Sequence, residues 1–400
     1  MKIFVKLFPI IAFILMLNEA QSQNNLTASD SDPRIAMPIL TIAPDARTSG
    51  MGNTGAATSP SINDLAWNCA KYVFNEYDMG VSLSYVPWMR NVGTTNINLM
   101  YLTGFYKLDA QQSLAASIRY FSLGSLDFMT DNAEKIRNAR PYELAVDIAY
   151  ALRLGEYFST GVAFRYLRSD LSGGNYSSPT TLPMEPANGV AADIGFYYMQ
   201  PVNWGNVSAG LSIINIGTKV AYTKDEVSDR SNFLPTTLRL AGGLEMDLGY
   251  RQFLAVSFEL SKYLVPTPPE YLRNERGEVV YDSNGNPIIT AGMDDNVSVP
   301  MGMIQSFYDS PNGFSGELRK IKIGGGAEYN YADIFKIRAG FYYDPKNTQH
   351  RYATLGLGII YNAFTLDLSY LIPVMSGFSS PLANTVHITL GVNIGEPIRY

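Results

Sequence analysis

Few residues of this chain have the chemistry of a catalytic site. It contains two histidines, His350 and His387, and one cysteine, Cys69, and it has no G-x-S-x-G or H-E-x-x-H motif. A serine nucleophile could be imagined beside His387, but this histidine lies on the polar side of an alternating segment, which favours a hydrogen-bonded structural role. We therefore predict that the protein is not an enzyme and holds neither a metal ion nor a cofactor.

Two short stretches resemble ligand-binding loops only in part. GGGAEY, residues 324–329, lacks the strand, loop and helix setting of a phosphate cradle, so close packing within a strand explains its glycines better. DSNGNP, residues 282–287, begins like a calcium loop, but Pro287 replaces the turn glycine and Met293 replaces the closing glutamate. The Asn-Gly pair inside this second stretch instead predicts a hairpin turn.

The amino-terminal residues indicate export. Lys2 and Lys6 precede an apolar run from Leu7 to Leu17, and small residues allow cleavage after Ser22. A transmembrane anchor would need about 20 apolar residues, and this run is much shorter. Residues 1–22 are therefore predicted to be a secretory signal peptide.

The composition favours a membrane barrel. Charged residues make up 16% of the chain, against about a quarter in soluble domains, while 27 tyrosines and 19 phenylalanines are present. No stretch after the leader is apolar enough for a spanning helix, and only a closed barrel can otherwise satisfy all backbone groups in lipid. The alternative is a large secreted β-sandwich or propeller, but a single cysteine offers no disulfide framework. The formal net charge of −6 argues against a nucleic-acid partner.

After residue 77 the chain consists of segments of about ten residues in which apolar side chains occupy every second position. In NTVHITLGVNIG the apolar residues share one face, and His387, Thr389 and Asn393 share the other. In a membrane barrel the apolar face meets lipid and the polar face lines the lumen. Charges of both signs on the polar faces predict a paired, partly filled interior; they are Glu143, Asp147, Arg153, Arg165, Asp193, Arg239, Glu245, Glu259, Lys322, Glu328, Lys336, Arg338 and Asp367.

Fourteen such segments are predicted. Short and long connections alternate between them, which is typical of an outer-membrane barrel with tight turns on one rim and long loops on the other. An even number of strands would also place both termini on the periplasmic side. The segments lie near residues 79–86, 96–106, 112–122, 142–154, 157–168, 189–199, 205–215, 236–246, 252–263, 319–329, 334–343, 351–361, 363–372 and 385–394.

The longest loop, residues 264–318, is a candidate partner-binding site. Its last part, VPMGMIQSFYDS, predicts a short helix with Met301, Ile304 and Tyr308 on one side, and Phe307 adds to this apolar surface. An exposed apolar surface containing methionine suits docking of a protein. Alternatively, this helix folds back over the barrel mouth as a lid.

The segment before the first strand, residues 23–76, has no strand alternation. A cylinder of fourteen strands is wider than its own side chains can fill, so this segment is expected to lie inside the barrel or beneath it. Its sequence DARTSGMGNTGAATSPSINDLAWNCA resembles the amino-terminal signature of FadL-like outer-membrane proteins, with Cys69 standing where the family has proline. The resemblance implies a plug over residues 45–70, whose matched positions are Arg47, Met51, Gly52, Trp67 and Asn68.

From PDARTSGMGNTGAATSP to GVNIGEPIRY the chain resembles the PorV (LptO) family, the FadL-like barrels of the type IX secretion system. This resemblance implies residence in the outer membrane of a Gram-negative bacterium, in contact with lipid or lipopolysaccharide. It also implies binding of the C-terminal signal domains of cargo at the translocon barrel and their transfer to the surface sortase and attachment complex. The alternative is FadL-type uptake of long-chain fatty acids or other hydrophobic solutes. The resulting organisation is a signal peptide (1–22), an amino-terminal segment with the plug (23–76), and an all-β, 14-stranded barrel (77–400).

Overall fold

The computed structural model of the protein describes residues 33–88, 97–129, 135–172, 176–178, 181–222, 231–346, 351–374 and 385–395. The predicted signal peptide lies outside these ranges and stays a prediction.

The described chain forms a closed antiparallel barrel of fourteen strands, as the sequence predicted. The last strand pairs with the first, with Leu390 opposite Leu83 and Ile394 opposite Met79, so the sheet has no free edge. Every predicted strand boundary lies within about three residues of the observed one. The strands are β1 (Met79–Pro87), β2 (Ile97–Lys107), β3 (Gln112–Leu123), β4 (Tyr142–Arg153), β5 (Phe158–Asp170), β6 (Ala187–Val202), β7 (Gly205–Gly217), β8 (Thr237–Gly249), β9 (Gln252–Tyr263), β10 (Lys322–Tyr331), β11 (Phe335–Tyr343), β12 (Tyr352–Tyr361), β13 (Phe364–Pro373) and β14 (Val386–Ile394).

The apolar side chains of the strands point outward. In β3, Leu114, Ile118 and Tyr120 are exposed on the outer surface, whereas Ser117 and Arg119 are buried inside. A soluble sandwich would bury the first set and expose the second. The observed arrangement is that of a barrel whose outer wall faces lipid.

Residues 33–76, here called the luminal segment, occupy the inside of the barrel. Their regular elements are a 3-10 helix at Pro38–Thr41, the short helix α1 (Ala46–Gly50), and 3-10 helices at Asp64–Ala66 and Cys69–Phe74. The first of these, with Met37, Ile39 and Leu40, packs against Leu99 and Leu167 of the inner wall. The last packs against inward-facing residues of β2 to β6. The hydrophobic core therefore lies between the luminal segment and the wall.

The two rims differ as the sequence predicted. Tight turns join β2 to β3 and each later even-numbered strand to the next, and this end is called the short-turn rim. The other end, the long-loop rim, carries the connection between β9 and β10. This loop contains a two-stranded hairpin (Glu270–Tyr271 with Ile289–Ala291), helix α2 (Val299–Gln305) and helix α3 (Gly313–Arg319). Two further hairpins on this rim pair Leu126–Met129 with Lys135–Ala139 and Tyr176–Ser178 with Thr181–Met184.

Within the described ranges, every helix is too short or too polar to cross a bilayer.

Candidate functional site: the filled lumen and the outer loop

Asp45 organises the first half of the luminal segment. Its carboxylate caps α1 by accepting a hydrogen bond from the Thr48 backbone N–H (2.8 Å), and it also accepts one from Trp67 Nε1 (2.9 Å). Burial raises the pKa of Asp45, while these hydrogen bonds favour its charged form. One carboxylate thus ties two parts of the segment that are 22 positions apart.

Arg47 joins the luminal segment to the barrel wall by ion pairs. Its guanidinium lies 3.2 Å from the Glu328 carboxylate of β10. The Arg338 guanidinium of β11 pairs with the same carboxylate at 2.5 Å. Arg338 also pairs with Asp367 of β13 at 2.7 Å, and Lys336 lies 3.6 Å from Glu328. Four of the predicted inward charges, Glu328, Lys336, Arg338 and Asp367, are therefore paired inside the barrel, and a residue of the luminal segment is part of the network.

Met51 and Gly52 lie against the glycine run of β10. A Cβ atom on Gly326 would come within 2.4 Å of the Met51 carbonyl oxygen, so this strand position has no room for a side chain. Gly52 has φ +68° and its N–H donates to Thr354 Oγ1 at 3.1 Å. The glycines of GGGAEY therefore allow close packing, as predicted, and here the partner is the luminal segment.

Trp67 and Asn68 fix the second half of the segment. The Arg239 guanidinium lies 4.7 Å from the Trp67 ring centroid. Asn68 caps the Cys69–Phe74 helix by accepting from the Ala70 N–H, and its amide donates to the Phe196 carbonyl oxygen of β6 at 2.9 Å. Cys69 is the first residue of this helix, a position where proline is favoured. The turn therefore forms with Asn68 as its cap and with cysteine, not proline, at the first helical position.

A buried ion pair that sequence reasoning missed holds the segment together internally. Lys71 Nζ lies 2.6 Å from Asp64 Oδ1, and it donates to the Gly55 carbonyl oxygen at 3.0 Å and to Thr58 Oγ1 at 3.1 Å. Burial lowers the pKa of Lys71, and the Asp64 carboxylate opposes this effect. The available signal was the presence of Asp45, Asp64 and Lys71 within a segment otherwise rich in small residues.

The luminal segment runs the full length of the lumen. At the long-loop rim the Ala36 N–H donates to the Phe233 carbonyl oxygen at 2.8 Å, and at the short-turn rim Lys107 Nζ donates to the Asn75 carbonyl oxygen at 3.0 Å. The described chain therefore begins at the long-loop rim and ends, at residue 395, at the short-turn rim. The expected periplasmic placement of both termini concerns residues outside the described ranges.

His387 has the structural role that its position on the polar face of β14 predicted. It is buried, and its Nδ1 lies 3.2 Å from Ser49 Oγ of α1. Its Nε2 has no hydrogen-bond partner among the described residues, so the carboxylate that orients a catalytic histidine is lacking there. His350 lies outside the described residues. Within those residues, no group of three or more acidic, histidine or cysteine side chains is arranged to hold a metal ion.

The four predicted partner-binding residues of the outer loop are exposed. Gly302 and Gln305 form the buried side of α2, with Gly302 against Pro266 and Phe233. The helix therefore packs against the long-loop rim, as expected if it folds back over the barrel mouth. Its apolar side nevertheless remains exposed. Two residues of α3 continue this surface, called here the apolar loop patch; it comprises Met301, Ile304, Phe307, Tyr308, Phe314 and Leu318, each about half exposed or more.

A buried polar cluster beneath the patch holds α2 and α3 in place. Lys320 pairs with Asp309 and, at 2.7 Å, with Glu317, and Lys262 of β9 pairs with Glu317 at 3.0 Å. The Thr267 N–H donates to Asp309 at 2.7 Å. The apolar loop patch is thus carried on a loop that is tied to the barrel rim.

The predicted hairpin turn at 282–287 is also present. The Asp282 N–H donates to the Asn286 carbonyl oxygen at 2.8 Å, and Gly285 has φ +82°.

A closed fourteen-stranded barrel with outward apolar faces and a chain segment inside its lumen defines the class of FadL-like outer-membrane barrels. The family model described as "Type IX secretion system protein PorV" matches residues 22–270, well over half of the chain. The chain therefore belongs to the PorV family of the type IX secretion system, as its sequence indicated.

Solved structures of the same fold are distant in sequence. The TodX ΔS2S3 mutant monoaromatic hydrocarbon channel matches with 12% identity and a TM-score of 0.50, covering 87% of this chain and 96% of that one. The toluene transporter TbuX of Ralstonia pickettii matches with 13% identity and a TM-score of 0.48, covering 88% of this chain and 98% of that one. The likeness to the TodX mutant concerns the fold alone. Among functionally curated proteins, no sequence matches this chain.

Proposed function

We propose that the protein binds the C-terminal signal domains of secreted cargo at its long-loop rim and transfers them from the type IX translocon barrel to the surface sortase and attachment complex. The observation that carries this proposal is the apolar loop patch. Large apolar side chains on a loop fixed by buried ion pairs form a preorganised docking surface, and such surfaces lose little entropy on binding. Membership of the PorV family supplies the secretion context.

The filled lumen restricts the alternative, hydrophobic-solute uptake, to a route that displaces or bypasses the luminal segment. The luminal segment is held to the wall by the Arg47–Glu328 ion pair, by the Asn68 amide and by close backbone contacts at Gly326. A solute passing through the lumen would have to displace these interactions. A barrel that works through its outer loops needs no such passage, and it performs no catalysis.

The short-turn rim faces the periplasm and the long-loop rim faces outward in this proposal, since outer-membrane barrels have their long loops outside. The carboxyl end of the barrel is then periplasmic. The outer wall contacts outer-membrane lipid or lipopolysaccharide and, on one side, the translocon barrel.

Substitutions in the apolar loop patch test the proposal. A variant with Met301, Ile304, Phe307 and Tyr308 all changed to Ser should lose cargo in a pull-down from outer membranes in mild detergent, by about tenfold or more, because apolar anchors dominate such interfaces. It should keep heat-modifiable gel mobility, since the four side chains are exposed. The matched control changes Leu272 and Tyr281 to Ser, two exposed apolar residues on the hairpin of the same loop. Equal cargo recovery from both variants would refute the assignment of the patch.

A further inference from the structure

A cavity lined by four cationic side chains lies in the upper lumen, near the long-loop rim. Arg119 of β3, Arg239 of β8, Lys262 of β9 and Lys322 of β10 line it from the wall. Residues 40–44 of the luminal segment and Trp67 close it from the inside. No carboxylate lines this cavity, although its lining residues all belong to the part of the chain that the structure describes.

Three of the four cations have a carboxylate partner outside the cavity. Arg239 lies 2.5 Å from Glu259, and Lys262 lies 3.0 Å from Glu317. Lys322 lies 3.4 Å from Asp344. These three charges are therefore compensated by the protein itself.

Arg119 differs from the other three. It is only 3% exposed, it has no ion-pair partner among the described residues, and its Nε has no hydrogen-bond partner there. Its favourable neighbours are the Tyr101 ring, 5.1 Å from the guanidinium carbon, and the Asp193 carboxylate of β6, which attracts it by charge without forming an ion pair. A buried guanidinium without a directly paired carboxylate is strongly unfavourable in a protein interior. The cation–π contact and the more distant Asp193 carboxylate offset only part of this cost.

We propose that this cavity binds a compact oxyanion, namely phosphate or the phosphomonoester of a lipid headgroup. Guanidinium groups match the tetrahedral oxygens of phosphate, and lysines add point charges. The cavity volume is about 40 Å³. A single water needs about 10–15 Å³ of such volume, so the cavity has room for about three to four water-sized groups, which suits a compact ion and not an acyl chain.

Phosphate reaches the cavity from one of two sources, and both present the same chemistry to Arg119. The free ion enters from the long-loop rim. A lipid headgroup enters from the same rim with its acyl chains left outside the cavity. The bound oxyanion would link β3 to β8–β10 and to the luminal segment, and so hold the upper lumen closed.

The test uses the full mature protein in detergent, with inorganic phosphate as the probe and sodium chloride at matched ionic strength as the reference. Phosphate should raise the thermal unfolding midpoint of the unmodified protein by several degrees. Arg119→Gln should abolish this shift. In chloride, Arg119→Gln should be at least as stable as the unmodified protein, because it removes an unpaired buried charge. Arg251→Gln is the control, since this arginine lies at the short-turn rim with its side chain 64% exposed, and it should respond to phosphate normally.

An equal phosphate shift in Arg119→Gln, or no shift in unmodified protein that retains no phosphate-bearing lipid, would overturn the proposal. If Arg119→Gln does not fold, calorimetric titration of unmodified protein free of such lipid decides in its place, and no measurable binding of phosphate overturns the proposal. Native mass spectrometry of protein extracted in mild detergent distinguishes the sources. Retention of a phosphate-bearing lipid identifies the headgroup, and response to free phosphate without such a lipid identifies the ion.

Discussion

At the scale of single residues, Gly52 is one of the positions where the luminal segment closely approaches the wall. It has φ +68°, and a Cβ atom there would lie 2.2 Å from the Phe341 carbonyl oxygen. A left-handed backbone conformation alone costs a side chain about 1–3 kcal/mol, and the collision adds to this. Gly52→Ala should therefore lower the free energy of unfolding by about 2 kcal/mol or more, measured by denaturant titration in detergent micelles.

The matched control for this prediction is Gly242→Ala in β8. A Cβ atom at Gly242 meets no neighbouring atom within 4 Å, and its φ is not in the left-handed region. The unfolding free energy of this variant should change by less than about 0.5 kcal/mol. If the two alanine variants were equally stable, close contact between Gly52 and the wall would be disproved.

Glu328 is the second residue whose removal should be costly. It is the common partner of Arg47 and Arg338, so Glu328→Gln removes the carboxylate that pairs with Arg47 and leaves Arg338 with Asp367 alone. Breaking a buried pair typically costs about 3–5 kcal/mol. We expect a loss of that size in the free energy of unfolding, with proteolysis appearing first in residues 45–60 as the luminal segment loosens.

Asp333→Asn provides the comparison for Glu328→Gln. Asp333 pairs with Arg251 at the short-turn rim, where the arginine side chain is 64% exposed. Exposed pairs contribute about 1 kcal/mol or less. A cost for Glu328→Gln no larger than that of Asp333→Asn would show that the network around Arg47 does not anchor the segment.

At the scale of elements, the attachment of α2 and α3 to the rim should depend on pH. Burial alone would raise the pKa of Glu317, but hydrogen bonds from Lys320 and Lys262 outweigh it, so the pKa lies below the ordinary value of 4.5. A carboxylate with a lowered folded pKa stabilises the folded state fully above its unfolded pKa. That contribution is lost as the pH falls through the folded pKa. The protection of backbone amides from hydrogen exchange in residues 299–319 should therefore decrease below about pH 4.5.

Glu317→Gln checks the origin of this pH dependence. The variant should show fast exchange in residues 299–319 already at neutral pH, and it should lack the acid-induced acceleration. Exchange in the barrel strands serves as the internal reference. An unchanged pH profile in the variant would assign the effect to another group of the cluster.

At the scale of the whole molecule, the two alternative functions differ in whether the luminal segment must move. The side-chain oxygens of Asn63 and Ser82 lie 2.5 Å apart, so these two positions are candidates for an engineered disulfide between the segment and β1. In a Cys69→Ser background, the oxidised Asn63→Cys, Ser82→Cys protein should still deliver cargo to the cell surface. Cargo attachment is measured by surface labelling of whole cells.

Uptake of hydrophobic solutes would behave in the opposite way. A solute transported through the lumen must pass the luminal segment, so the same cross-link would block uptake by that route, and reduction would restore it. If oxidation abolished cargo attachment and reduction restored it, movement of the segment would be part of the secretion function. The parent Cys69→Ser protein, oxidised in parallel, controls for nonspecific oxidation.

The barrel could be predicted because its determinants are local. A two-residue period appears in any single strand, as in NTVHITLGVNIG, and short sequences such as NYADI identify the turns. The low content of charged residues then indicated that the apolar face of the strands meets lipid. The exposed apolar side of α2 and of the turn after it could be predicted for the same reason, because Met301, Ile304 and Tyr308 follow helical spacing in the sequence. The plug positions, by contrast, came from resemblance to a family and not from periodicity.

The sequence by itself thus determined the strands, their number and the alternation of the rims, because each depends on residues close together in the chain. Only the tertiary structure decided the partners inside the lumen. Arg47 meets Glu328 across 281 positions, and Asn68 meets Phe196 across 128. Such pairs depend on closure of the barrel and on the position along the barrel axis at which the luminal segment passes each strand. That no carboxylate of the described residues forms an ion pair with Arg119 has the same origin, since an inward arginine looks alike in sequence whether or not a carboxylate faces it.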